Sequence, residues 1–117
     1  MQEITIWHNP KCSKSRQAME IVAQSGCKAD VIKYLEDSPD ENKIKSVLKM
    51  LKLTPRELMR TKEDLYKELN LKEEQSDKAL ISAMAKYPKL IERPIIIKGD
   101  SAIIGRPTEK IAQFLNS

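Results

Sequence analysis

The chain opens with a short alternation. Ile4 and Ile6 face one way and Thr5 and Trp7 the other, which predicts a β-strand over residues 3–7. The period then lengthens. Met19, Val22 and Ala23 recur at helical spacing, Ser13 or Ser15 can cap that helix, and Gly26 suits the position just past its end. Ala29 to Tyr34 reads as a second strand. These pieces form a βαβ unit, which favours parallel pairing and a right-handed crossover.

A helical block follows. Ser38-Pro39-Asp40-Glu41 has the capping-box pattern, with proline at the first helical position, and Ile44, Val47, Leu48 and Leu51 follow at i, i+3, i+4, i+7. Thr54-Pro55-Arg56-Glu57 repeats the start signal for a short helix carrying Leu58, Met59 and Arg60. Glu63 to Leu69 is another short helix, and Ser76 to Lys86 a longer one with Leu80, Ala83 and Met84 inward, stopped by Tyr87-Pro88. Strand character then returns. Pro94 to Lys98, Gly99-Asp100 and Ser101 to Ile104 predict a β-hairpin. Gly105-Arg106-Pro107 leads into a last helix with Ile111, Phe114 and Leu115 on one side.

The order is therefore βαβ, then helices, then ββα, and it resembles the thioredoxin-like fold with a helical insertion. The expected architecture is α/β, a central mixed sheet of about four strands. The 117 residues suit one domain, 1–117, with the insertion over about 38–90. In that fold the strand after the insertion typically begins with a cis-proline facing the active-site cysteine, and Pro94 occupies the matching position. A trans proline at a strand start is the alternative.

Composition narrows the class. No apolar run is long enough to span a bilayer, and no basic region followed by an apolar stretch opens the chain. With two cysteines, the expected compartment is the reducing cytoplasm. The net charge of +4 could suggest nucleic acid, but acidic and basic residues interleave and only 4% of residues are aromatic, so no nucleic-acid partner is expected. A single histidine argues against a metal centre, and three glycines cannot build a Gly-rich phosphate loop.

The candidate chemistry starts at Cys12, between the first strand and the first helix. Backbone N–H groups at a helix start are unpaired, and the helix dipole is positive there. Such a place stabilises a thiolate and can seat an oxyanion. Lys11, Lys14 and Arg16 are misplaced at a helix start unless something negative sits beside them. The plainer reading of Cys12 is an inert buried cysteine. Ser15 stands where a CxxC motif would carry its second cysteine. Cys27 lies ~20 Å further along the helix axis and reads as structural. Redox chemistry at Cys12 would then need an external thiol.

Three arginines stand at marked positions: Arg60 in the insertion, Arg93 before Pro94 and Arg106 before Pro107. A guanidinium fork matches a tetrahedral oxyanion, and three around a thiolate would bind an anion and lower the thiol pKa. Each alone reads as a surface ion pair. His8, four residues before Cys12, either orients the loop or favours the thiolate.

Taken together, the segment from His8 to Arg16, the Arg60 helix, Glu92-Arg93-Pro94-Ile95-Ile96 and Gly105-Arg106-Pro107 resemble the glutaredoxin-coupled arsenate reductases over essentially the whole chain. The resemblance implies Cys12 as nucleophile, His8 as its activator, and Arg60, Arg93 and Arg106 as the basic triad that holds arsenate. Ser13, Lys14 and Ser15 complete the expected substrate-binding loop. It also implies that Cys12 attacks arsenic and expels water or hydroxide. Glutathione then adds as co-substrate, arsenic(V) becomes arsenic(III), and glutaredoxin resolves the mixed disulfide. No bound cofactor is expected. One departure stands out: Ser13-Lys14 replaces the Gly-Thr common in arsenate-detoxifying members. Two alternatives follow, a glutathione-linked thiol-disulfide oxidoreductase with another substrate and a Spx-like non-enzymatic regulator.

Overall fold

In a computed structural model of the protein, residues 4–26, 28–105 and 109–116 are described. Cys27, Arg106 and Pro107 lie outside them. The chain divides into two compact units. One comprises Met1–Asp37 and Arg93–Ser117, the other Ser38–Glu92.

The first unit is built on a four-stranded mixed sheet of order β2-β1-β3-β4. Strand β1 (Ile4–Trp7) pairs in parallel with β2 (Ala29–Ile32), Ile6 opposite Val31. On its other side it pairs antiparallel with β3 (Ile95–Lys98), Ile6 opposite Ile96. Strand β4 (Ser101–Ile104) closes the hairpin with β3, and Gly99 takes the positive φ of 59° that its two-residue turn requires. Between β1 and β2 runs helix α1 (Ser13–Gln24), and helix α6 (Glu109–Leu115) ends the unit. The βαβ and ββα halves around a mixed sheet make this a thioredoxin-like α/β fold.

Period-two alternation fixes which side chains form the core. Ile4 and Ile6 of β1 and Ile96 of β3 pack with Ala18 and Val22 of α1 and with Ile111 and Leu115 of α6. Trp7 projects from the opposite face of β1 and is still buried, because its ring stacks on Tyr34 at 6.5 Å. Ala23, expected inward, is exposed, and Ala18 takes its place, one turn nearer the cysteine.

Gly105 sits in a tight place. A Cβ there would lie 3.0 Å from both Pro94 Cγ and Ile111 Cδ1, and the Gly105 N–H donates to the Pro94 carbonyl at 2.8 Å. The Arg93–Pro94 bond is cis.

The second unit carries α2 (Glu41–Leu51), α3 (Pro55–Leu58), α4 (Asp64–Glu68) and α5 (Asp77–Lys86), with 3-10 turns at Leu71–Glu73 and Pro88–Leu90. Its start signals are instructive. Thr54 forms the expected capping box with Glu57, with Pro55 in the first turn. At α2 the box at Ser38 does not form. Asp40 caps instead, accepting from Lys43 N–H at 2.8 Å, so Pro39 stays outside the helix. Helix α3 is also shorter than expected. It ends at Leu58, because Met59 pairs with Ile91 as an isolated β-bridge and Arg60 N–H donates to the Leu90 carbonyl at 2.7 Å. Arg60 therefore lies past the end of the helix, not on it. Among the described residues no helix is long and apolar enough to cross a membrane.

Candidate active site

Cys12 is the N-cap residue of α1, with extended φ and ψ of −98° and 122°. Neither Ser13 nor Ser15 caps this helix; no side chain does. The backbone N–H groups of the first turn are thus left for the cysteine sulfur. The first turn carries no acidic residue that would compete for them.

The thiol is buried, and burial alone would push its pKa up. Three donors outweigh that cost. The Ser15 N–H, the Arg93 guanidinium and the Lys14 N–H all hydrogen-bond the sulfur, and the Arg93 charge adds to the effect. The pKa comes down from 9.0 to about 7. About half of the thiol is then thiolate at neutral pH, the nucleophilic form of a cysteine.

The loop before it is held by one asparagine. The Asn9 carbonyl accepts from Cys12 N–H at 3.0 Å, its side-chain Oδ1 accepts from Lys11 N–H at 3.1 Å, and its own N–H donates to Ser15 Oγ at 3.0 Å. Sequence reasoning passed over Asn9. The Asn-Pro dipeptide is a turn-initiating signal that could have found it.

His8 is buried at the end of β1. Its N–H donates to the Ile32 carbonyl at 2.8 Å, and its Nδ1 lies 2.7 Å from Ser15 Oγ. Burial lowers the imidazole pKa from 6.5, and the charges of Lys33 and Arg16 lower it further. The ring is neutral at pH 7.

The expected anion-binding residues are placed as follows. Ser13 and Lys14 are exposed at the start of α1. Ser15 is fully buried, with its hydroxyl engaged by His8 and Asn9, so it reaches the sulfur through its peptide N–H and not its side chain. Arg93 is half-buried and touches Cys12. Arg60, in the other unit, donates from its NH1 nitrogen to Glu63 at 2.8 Å, and its Nε lies 3.5 Å from Glu92. Lys89 also reaches Glu63, at 3.4 Å. Those carboxylate partners were not anticipated. Arg106 lies outside the described residues.

Comparison with known proteins gives a consistent result. The model of the ArsC family matches residues 7–114. The arsenate reductase of Neisseria meningitidis serogroup B is 45% identical over 117 residues, covering 98% of this chain and all of that protein. Escherichia coli YfgD, described as an uncharacterized protein, is also 45% identical, over 116 residues, 97% of this chain and 98% of its own. The solved structure of an arsenate reductase from Vibrio cholerae superposes with a TM-score of 0.92 at 48% identity, covering 96% of this chain and 97% of that one. With a family match running from Trp7, at the end of β1, through the cysteine loop to Phe114 in the last helix, this chain belongs to the ArsC family.

Proposed function

We propose that this protein is an arsenate reductase in which the Cys12 thiolate is the nucleophile. The observation that carries the reading is the set of donors on the Cys12 sulfur: two peptide N–H groups at a helix start and the Arg93 guanidinium. The same donors that stabilise the thiolate suit the negative oxygens of a tetrahedral anion, and their value grows as charge shifts in the transition state. The names of the Neisseria and Vibrio relatives support the choice of oxyanion.

In this reading the sulfur attacks arsenic, an S–As bond forms, and an oxygen leaves as water or hydroxide. Arsenic is still pentavalent at that point. Glutathione replaces a second oxygen. Two thiols then leave joined as a disulfide, and the electron pair they give up takes arsenic to the trivalent state. Glutaredoxin completes the cycle by thiol–disulfide exchange, since Ser15 gives the loop no second thiol at the CxxC spacing. Arg93 holds the oxyanion.

The test is turnover of arsenate with glutathione and glutaredoxin, followed as NADPH oxidation through glutathione reductase. Arsenate-dependent oxidation that vanishes in Cys12→Ser is expected. Equal rates in Cys12→Ser would sink the proposal. Exposed Ser13 and Lys14 favour a second reading, exchange with glutathione disulfides, because they leave the helix start open to a larger anionic substrate. Glutathione-disulfide turnover without arsenate turnover would select it.

A further inference from the structure

Apart from the cysteine, tryptophan and tyrosine side chains of the core, the buried polar side chains among the described residues are His8 and Ser15, and they are bonded to each other beside Cys12. We propose that Ser15 is a positioning residue for the Cys12 thiolate: its hydroxyl ties His8 and Asn9 to the first turn of α1 and so keeps the Lys14 and Ser15 peptide N–H groups aimed at the sulfur. This rests on the reading of Cys12 as the nucleophile.

Ser15 Oγ has one proton to give and accepts the Asn9 N–H at 3.0 Å. Its other partner is His8 Nδ1 at 2.7 Å. The ring is neutral, because burial, Lys33 and Arg16 all oppose its protonation. A neutral imidazole has one bare nitrogen. Oγ can donate its proton while accepting from Asn9; in this arrangement the proton goes to Nδ1 and the ring proton stays on Nε2. The hydroxyl is thus used in both directions.

The consequence is mechanical. Asn9 and His8 end the strand side of the loop, and Ser15 belongs to the first turn of the helix. The same loop is closed by Cys12 N–H donating to the Asn9 carbonyl at 3.0 Å. One hydroxyl therefore bridges both sides of the turn that presents the sulfur. Without it a part-buried Asn9 N–H and a buried imidazole nitrogen lose their partner, and the turn must shift to recover one.

Two measurements test this, neither needing arsenate. In the unaltered protein, nitrogen-15 NMR of His8 at pH 7 should show a bare Nδ1 and a protonated Nε2. A proton on Nδ1, or on both nitrogens, would overturn the proposal. In Ser15→Ala, the pH midpoint of Cys12 alkylation by iodoacetamide should rise by about one unit, slowing alkylation at pH 7 about fivefold while the high-pH rate stays unchanged. Ser15→Thr, which keeps the hydroxyl, should restore the midpoint. A folded Ser15→Ala protein with the original midpoint would refute the claim. If that variant does not fold, the His8 tautomer decides. A shifted midpoint in a protein that never turns over arsenate would retain this inference and reject the substrate.

Discussion

The loop that carries Cys12 and the segment that carries Arg60 hold their functional groups by different means. Around Cys12 the sulfur takes two peptide N–H groups and the Arg93 guanidinium, and the loop behind it is held by a buried hydroxyl bonded to a buried neutral ring. Around Arg60 the partners are the carboxylates of Glu63 and Glu92, and all three side chains keep contact with water. Buried hydrogen bonds in a low-dielectric setting are strong and costly to leave unmade. Half-exposed ion pairs are screened and contribute little. The first arrangement can set a pKa, whereas the second mainly orients a fork.

That contrast can be broken most sharply at Arg93. Arg93→Ala removes a charged donor from the sulfur, so arsenate kcat/KM should fall about a hundredfold or more and the alkylation midpoint of Cys12 should climb from about 7 toward 9.0. An unchanged midpoint would mean that peptide N–H groups alone set the thiol.

Arg56 tests whether the Ser38–Glu92 unit ever uses a guanidinium the buried way. Its fork donates to Tyr66 Oη and to the Leu71 and Glu74 carbonyls, clasping the chain around α4. Arg56→Ala should destabilise the protein by about 2–3 kcal/mol in urea unfolding, with no change in the Cys12 midpoint.

His8 gives a smaller, pH-dependent effect. Its folded pKa lies below 6.5, so the unfolded chain binds the proton first and stability falls as pH drops below 6.5. His8→Gln should flatten that acid limb. A limb of the same slope would show that carboxylates account for it. Glu92→Gln should be the mildest change, within about 0.5 kcal/mol of the parent in unfolding experiments. A larger loss would mean that the Arg60 pair is better shielded than its exposure suggests.

Much of the fold was legible because it follows from periods. Ile4 and Ile6 at period two and Ile44, Val47 and Leu48 at helical spacing all end up buried. Cys12 was legible because a helix start is a property of local sequence. What escaped depended on partners distant in the chain. Nothing near Arg60 announces that Met59 will pair with Ile91 and end α3 two residues before it. Ser15 looks like a cap or a substrate contact until the loop folds back and sets its hydroxyl against a histidine seven residues earlier. At α2 the Ser38 box is the pattern read from the sequence, yet Asp40 supplies the cap.

Gly105 bears on how this scaffold tolerates change. Its missing Cβ lets the end of β4 lie against Pro94 and Ile111, two residues with no slack to give, since Ile111 is fully buried and Pro94 is a rigid ring. A saturation library at position 105, sorted for soluble protein, should return glycine almost alone, while Ser101 in β4 should accept many replacements. Position 105 is thus a fixed point just past the hairpin, as Gly99 is within its turn.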